Sequence, residues 1–216
     1  MGDNKKRKNK SKKENEQIDL KTILLGESGV GKTSLIKVIT GKQFSENVPA
    51  TYMNYYVEKT FEINNNNYKI KIWDTIGQEK FRTLTKLFYK DSKIIIFVYD
   101  KSIKNTFNEL IKYWINEVKE TIDDHKYVMG IVGNKDDLED KENDVDEEEA
   151  RLFANNINAK FKMVSAKKDG AGFEAFLKEL IIDLIEKCNG KIERDIKSVV
   201  LNKKNHKKTN NKKCCN

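Results

Sequence analysis

Proline, cysteine and long apolar runs are all scarce in this chain. Pro49 is the single proline among 216 residues, of which 38% are apolar and 35% charged. That balance suits one polar-surfaced domain with tails, since a core of this size folds alone. The three cysteines are too few and too odd in number for a disulfide framework, so a reducing, cytosolic compartment is expected. Cys188 falls in an amphipathic helical stretch and reads as a buried or half-buried thiol, whereas Cys214 and Cys215 are adjacent. No segment approaches the roughly 18 apolar residues that a spanning helix needs. Residues 1–13 are basic with no apolar stretch behind them, so no secretory signal is expected.

The body of the chain also lacks the positive charge that the total suggests. The net charge is +8, yet residues 1–13 carry seven Lys/Arg against one Asp, and residues 201–216 carry six Lys and no acid. Each tail is therefore +6, which leaves residues 14–200 at −4. This disfavours a uniformly basic nucleic-acid-binding body, and no aromatic interleaving supports one, so nucleic acid is not expected as a partner. The tails are expected to be disordered. They suit anionic lipid, where each Lys contributes about 1 kcal/mol near a charged leaflet.

What the chain does contain is an alternation of strand-like and helix-like segments, which calls for a largely parallel sheet covered by helices. Strands are predicted at 19–25, 55–63, 68–73, 93–99, 127–132 and 161–164, and helices at 32–40, 105–122, 146–155 and 173–187. The second and third strands flank residues 64–67, which read as a four-residue hairpin loop. KIIIFVY at 93–99 is apolar without alternation, as expected of a strand buried on both faces. Acids open the 146–155 segment, where the helix dipole favours them. There are no internal repeats.

Residues 26–33 read GESGVGKT, which matches G-x-x-x-x-G-K-[ST] at Gly26, Gly31, Lys32 and Thr33. An apolar strand ends at Gly26 and a helix begins at Lys32, the context this motif requires. Backbone N–H groups of Ser28, Gly29, Val30 and Gly31, with Lys32, Thr33 and Ser34 behind them, are expected to cradle phosphates. The helix N-terminus adds partial positive charge. Lys32 should reach the β- and γ-phosphates, and the Thr33 hydroxyl should ligate Mg²⁺. A glycine turn before a helix is the plain alternative, and the motif by itself does not separate ATP from GTP.

Asn134-Lys135-Asp136 follows the strand at 127–132, and Ser165-Ala166-Lys167 follows the strand at 161–164. Both lie at carboxyl ends of parallel strands, where ligands bind in open α/β sheets. A carboxylate there, taken to be Asp136, can accept hydrogen bonds from guanine N1–H and its 2-amino group. Adenine has neither donor, and a buried unpaired acceptor is costly. Between the two sites stands WDTIGQ, residues 73–78.

Together GESGVGKT, VPAT, WDTIGQE, GNKDDL and SAK resemble the Ras superfamily of small GTPases over residues 18–188, and KIKIW, KFRTL, FYKDS and FVYDKS are similar to segments of the Rab family. The resemblance implies a P-loop GTPase domain (G domain) of α/β class, with a six-stranded, mostly parallel sheet and helices on both faces. Residues 1–17 would then be a basic extension and 189–216 a Lys-rich hypervariable tail. It implies GTP and GDP as ligands, with Mg²⁺. Thr51 would ligate the metal and contact the γ-phosphate, Asp74 would hold the metal through water, and the Gly77 N–H would meet the γ-phosphate. Gln78 would orient the attacking water. Phe44 would stack on guanine (a loop aromatic packed on the core is the alternative), Asn134 would support the base, Lys135 would pack along it, and the Ala166 N–H would donate to it. The catalytic set is thus Gln78, Lys32 and Thr51, and the metal set Thr33, Thr51 and Asp74.

The same resemblance implies slow intrinsic hydrolysis, an exchange factor, an activating protein and effectors that meet a surface bearing Tyr55, Tyr56, Trp73, Phe81 and Tyr89. Some of these aromatics are expected to be core. The chain is expected to be a monomer, tethered by lipid on Cys214 and Cys215 to the cytoplasmic face of intracellular membranes. Several residues depart from the Rab pattern. Lys90-Asp91-Ser92 stands for Arg-Gly-Ala, TYMNYY at 51–56 replaces the usual stretch, and Ser28 replaces a glycine common in Ras proteins. Ile76 takes a place usually held by alanine, beside Gln78. Gly2 does not start a myristoylation signal, because Lys6 stands where Ser or Thr is needed.

Overall fold

The computed structural model describes residues 17–46, 49, 51, 55–75, 88–122, 127–139, 141–142 and 144–188. Its elements run β1 (Gln17–Leu25), α1 (Lys32–Ile39), β2 (Tyr55–Ile63), β3 (Asn66–Asp74), β4 (Ile94–Asp100) and α2 (Lys104–Glu109). A π-helical turn, Leu110–Trp114, joins α2 to α3 (Ile115–Thr121), followed by β5 (Val128–Asn134), α4 (Glu147–Asn156), β6 (Ala159–Met163) and α5 (Gly170–Lys187). The six strands form one sheet in the order β2-β3-β1-β4-β5-β6, with only β2 antiparallel to its neighbour.

Alternation along the central strands builds two cores. Ile94, Ile96 and Val98 of β4 face one way, onto Leu35 of α1 and Phe176, Leu177 and Leu180 of α5. Ile95, Phe97 and Tyr99 face the other way, onto Phe107, Trp114, Val118, Ala150 and Ala154. A strand covered on both faces gains nothing from polar alternation, which is why β4 reads as one apolar run. Cys188 packs half-buried at the edge of the first core.

Two expectations change. The hairpin loop is two residues, not four: Asn64 and Asn65 both adopt left-handed backbone, at φ 51° and 60°, and Ile63 pairs directly with Asn66. Such a turn matches strand twist, and Asn tolerates positive φ better than most side chains. The helix expected over 105–122 spans Lys104–Thr121 but is interrupted by the π turn, which no periodicity count could show at five residues. Helix starts follow local chemistry. Asp146 accepts from Glu149 N at 2.8 Å and Asp169 from Gly172 N at 2.6 Å, each capping a first turn.

Candidate functional site

The carboxyl ends of β1, β3, β5 and β6 open onto one cleft of about 460 Å³. Chain reversal at the end of β1 requires glycine. Gly26 has φ 147°, and a Cβ there would stand 2.1 Å from the Val98 carbonyl oxygen of β4. Gly31 closes the loop at φ 98°, where a Cβ would meet the Asn134 side-chain nitrogen at 2.2 Å. The loop thus presses on β4 and β5 at once, and only glycine fits.

At one end of the cleft lie Ser28, Gly29, Gly31, Lys32, Thr33 and Ser34, as the motif predicts. Val30 is buried, and its carbonyl accepts from Asn134 Nδ2 at 2.8 Å. Lys32 Nζ is buried and donates to Gly26 O at 2.7 Å and Glu27 O at 2.8 Å. Burial pushes this ammonium down to about 8, with Asp74 and Glu27 holding it up only in part. Thr33 Oγ1 donates to Asp74 Oδ2 at 2.7 Å, and the Thr33 and Thr51 hydroxyls share a hydrogen bond of 2.9 Å. Thr51 also reaches Asp74 Oδ2 at 3.5 Å. Two hydroxyls and one carboxylate therefore converge from three separate segments. Hard oxygen donors with a single carboxylate suit Mg²⁺, which keeps waters and phosphate oxygens in its remaining positions.

At the other end, Phe44, Asn134, Lys135, Ala166 and Lys167 line the cleft. Asn134 is a strut, since its Oδ1 accepts from Ala166 N at 3.1 Å while its Nδ2 holds the phosphate loop. Phe44 is half-buried against the α1–α5 core and also faces the cleft, so packing and ligand contact coexist.

Asp136 requires correction. It is not among the cleft-lining residues; its carboxylate lies 3.3 Å from Lys101 Nζ. The acid of this turn that lines the cleft is Asp137, whose Oδ1 accepts from Ser165 Oγ at 2.5 Å. The cause is local. Lys135 adopts φ 67° and Asp136 N donates back to Val164 O at 3.1 Å, so the chain turns sharply and swaps which acid points inward. Ser165 likewise acts by holding Asp137, and its hydroxyl also accepts from Lys167 N and Lys168 N. Glu46, Ser45, Pro49, Thr75 and Leu138 complete the lining and were not anticipated. Gly77, Gln78 and Ile76 lie outside the described residues, as do Cys214 and Cys215.

Beside the cleft, Trp73 of β3 stacks at 4.9 Å on Tyr56 and 5.2 Å on Phe88, with Lys21 over its ring. Tyr56 is exposed and Trp73 half-buried, but Tyr89, expected on this surface, is fully buried in the second core. Phe88 takes its place. Phe81 and the Tyr55 side chain are outside the described residues.

A glycine loop between β1 and α1, at the β1/β4 switch point of an open sheet, defines a P-loop nucleotide-binding protein. Comparison with known proteins narrows the class. The Ras family matches residues 21–186. Ras-related protein Rab-18 of Lymnaea stagnalis is 38% identical over 167 residues, covering 77% of this chain and 81% of that one. Ras-related protein Rab-21 of Geodia cydonium is 36% identical over 167 residues, 77% of this chain and 72% of its own. GTP-binding protein ypt1 of Schizosaccharomyces pombe is 37% identical over 161 residues, 73% and 76%. The chain belongs to the Ras family of small GTPases, in its Rab group. It binds guanine nucleotide, with the Mg²⁺ general to that family, and has GTPase activity. Among the described residues no helix is long and apolar enough to cross a membrane.

Proposed function

We propose that the chain is a GTP-dependent switch in vesicle traffic, with slow intrinsic hydrolysis and an activating protein that accelerates it. The observation that carries this reading is the meeting of Thr51 with Thr33 and Asp74 beside the Lys32 ammonium. Thr51 reaches the site from the segment before β2, so the γ-phosphate gives it a partner that hydrolysis removes. Thr33, Thr51 and Asp74 would hold Mg²⁺, which would neutralise phosphate charge when bound. Lys32 neutralises the β- and γ-phosphates, and Gly77 and Gln78 meet the γ-phosphate and orient water. At the other end Asp137, steadied by Ser165, accepts from guanine N1–H and the 2-amino group, while Lys135 and Phe44 flank the ring. Among the described residues no arginine lines the cleft, which supports the slow rate.

Effectors and regulators would meet the face built on Tyr56, Trp73 and Phe88, whose partly exposed rings adjoin the segment carrying Thr51. Lipid on Cys214 and Cys215 would supply stable anchoring, since two chains hold where one is marginal, and the Lys-rich tail adds attraction to anionic headgroups. Single-turnover GTP hydrolysis with and without extract of the native cell tests the enzyme. Extract is expected to accelerate it; intrinsic turnover within seconds sinks the need for an activator. Imaging the tagged chain beside a Cys214/Cys215→Ser double variant tests the anchor, and unchanged membrane location of the variant would refute it. A second reading, a GTP-binding module with little turnover, is favoured by Ile76 beside Gln78. Restored hydrolysis in Ile76→Ala would support it.

A further inference from the structure

Asp100 ends β4 and Lys101 follows it, opposite Lys135 and Asp136, which follow β5, and the four charges cross. Lys135 Nζ lies 2.5 Å from Asp100 Oδ2, and Lys101 Nζ lies 3.3 Å from Asp136 Oδ1. Each acid of one strand end therefore meets the base of the other. Lys101 is further tied through its backbone, donating to Asn134 O at 3.1 Å and accepting from Val145 N at 2.8 Å. Asp100 in turn accepts from Ser102 N at 3.0 Å and Ser102 Oγ at 2.7 Å.

Lys135, held by the first pair, has φ 67°, a left-handed conformation that a residue with a Cβ adopts at a cost. The kink decides that Asp137, rather than Asp136, turns into the cleft. Something must hold it, and the crossed pairs grip the bend residue and the one that follows it.

The choice of lysine at 101 is informative. Its side chain is only 7% exposed, against 45% for Asp136. Withdrawing an ammonium from water is expensive, and an apolar residue of similar volume would often fill such a site at no loss of stability. A lysine here makes sense as a device that fixes one geometry.

We propose that Lys101 is a positioning residue for base recognition. Its contact with Asp136 holds the 134–138 turn so that the Asp137 carboxylate meets the 2-amino and N1–H donors of guanine. The proposal rests on the assignment of Asp137 to the base.

The test compares release of GDP with that of IDP, whose base lacks the 2-amino group, from the full chain loaded with Mg²⁺. Wild type is expected to release IDP about tenfold faster or more, because one acceptor site on the carboxylate is left unpaired. Lys101→Met and Asp136→Asn should each speed GDP release roughly three- to tenfold and compress the IDP/GDP ratio toward one. The double variant should be no worse than either single, the signature of one shared interaction. Lys101→Arg should keep the wild-type ratio. A merely structural lysine would lower the melting temperature and leave the ratio alone. An unchanged ratio in Asp136→Asn, whose half-exposed site tolerates the change even if Lys101→Met does not fold, overturns the proposal, as do single effects that add. Asp137→Asn separates the two failures. If it abolishes the ratio while Asp136→Asn leaves it intact, only Lys101 loses its role; if it too leaves the ratio intact, the assignment of the base site is wrong.

Discussion

The two ends of the cleft are built on opposite principles. The base end is knitted to itself. Asn134 spans from Val30 to Ala166, Ser165 holds Asp137, and Asp100 and Lys101 hold the turn between them. Its polar groups have protein partners, so it is preorganised and its specificity comes from geometry already set. The phosphate end gathers groups of unequal charge and leaves them dependent on what binds. Lys32 is buried with two carbonyls and a carboxylate nearby, and three oxygens from distant segments share one point. Affinity there should answer to metal and pH, whereas the base end should answer only to the identity of the base.

The sharpest way to break this contrast is Asp137→Asn. A site built to hydrogen-bond a ligand rejects one that leaves its groups unpaired by about 10⁴-fold. The amide cannot accept from both guanine donors, so GDP affinity should fall by roughly that factor, and XDP, which offers a carbonyl where guanine has its amine, should bind better than GDP. Titration with fluorescent GDP and XDP measures both. Next in size is the metal. Chelating Mg²⁺, or changing Thr33 to Ala, should speed GDP release by roughly 10- to 100-fold, in line with what loss of a metal-site partner costs. The base preference, GDP over IDP, should be untouched by either. A preference that shifts on chelation would show the two ends to be coupled.

The pH response sharpens the same contrast. Lys32 sits at about 8 instead of its ordinary 10.5 because burial disfavours the ammonium. Phosphate oxygens beside it restore the charged form, so above pH 8 binding must take up a proton. GDP affinity is therefore flat below about pH 8 and falls above it, by up to tenfold per pH unit. Stability of the nucleotide-free chain moves the other way. With the folded value depressed, the unfolded chain holds the proton more tightly, and stability rises as pH climbs from about 8 to 10.5. Binding and thermal melts between pH 7 and 10 should show opposite slopes, and Lys32→Met should abolish both.

What could be read in the sequence follows the same division. The phosphate loop was legible because its glycines, lysine and threonine are dictated one by one by chain reversal, close approach and charge. The parallel strands were legible because both faces are covered. The base end was legible only in outline, since two consecutive acids, Asp136 and Asp137, differ in role through a backbone kink at Lys135 that no residue preference announces. Lys101 was invisible for a related reason. A lysine after an apolar strand reads as a solvated end, and its burial depends on the partner that β5 brings across. Trp114 offers a further case. It is buried in the second core, and its indole N–H also donates to Glu27 Oε1 at 2.9 Å, tying the π turn to the phosphate loop.

The smallest expected effect concerns an exposed ion pair at the cleft. Lys167 Nζ donates to Glu46 Oε1 at 2.9 Å across the mouth of the cleft, linking the base end to the segment that leads to Thr51. Each partner shifts the other's titration toward the charged form, yet both side chains are largely exposed, at 49% and 74%. Exposed pairs lose most of their attraction to solvent and salt, and they must order two long side chains to form. Glu46→Gln should therefore speed GDP release by no more than about threefold at low salt, with no difference from wild type at 1 M. A larger effect that survives high salt would mean that Glu46 touches the nucleotide itself. The two ends would then share a lining residue, and the division between a preorganised base end and a ligand-dependent phosphate end would have to be redrawn around it.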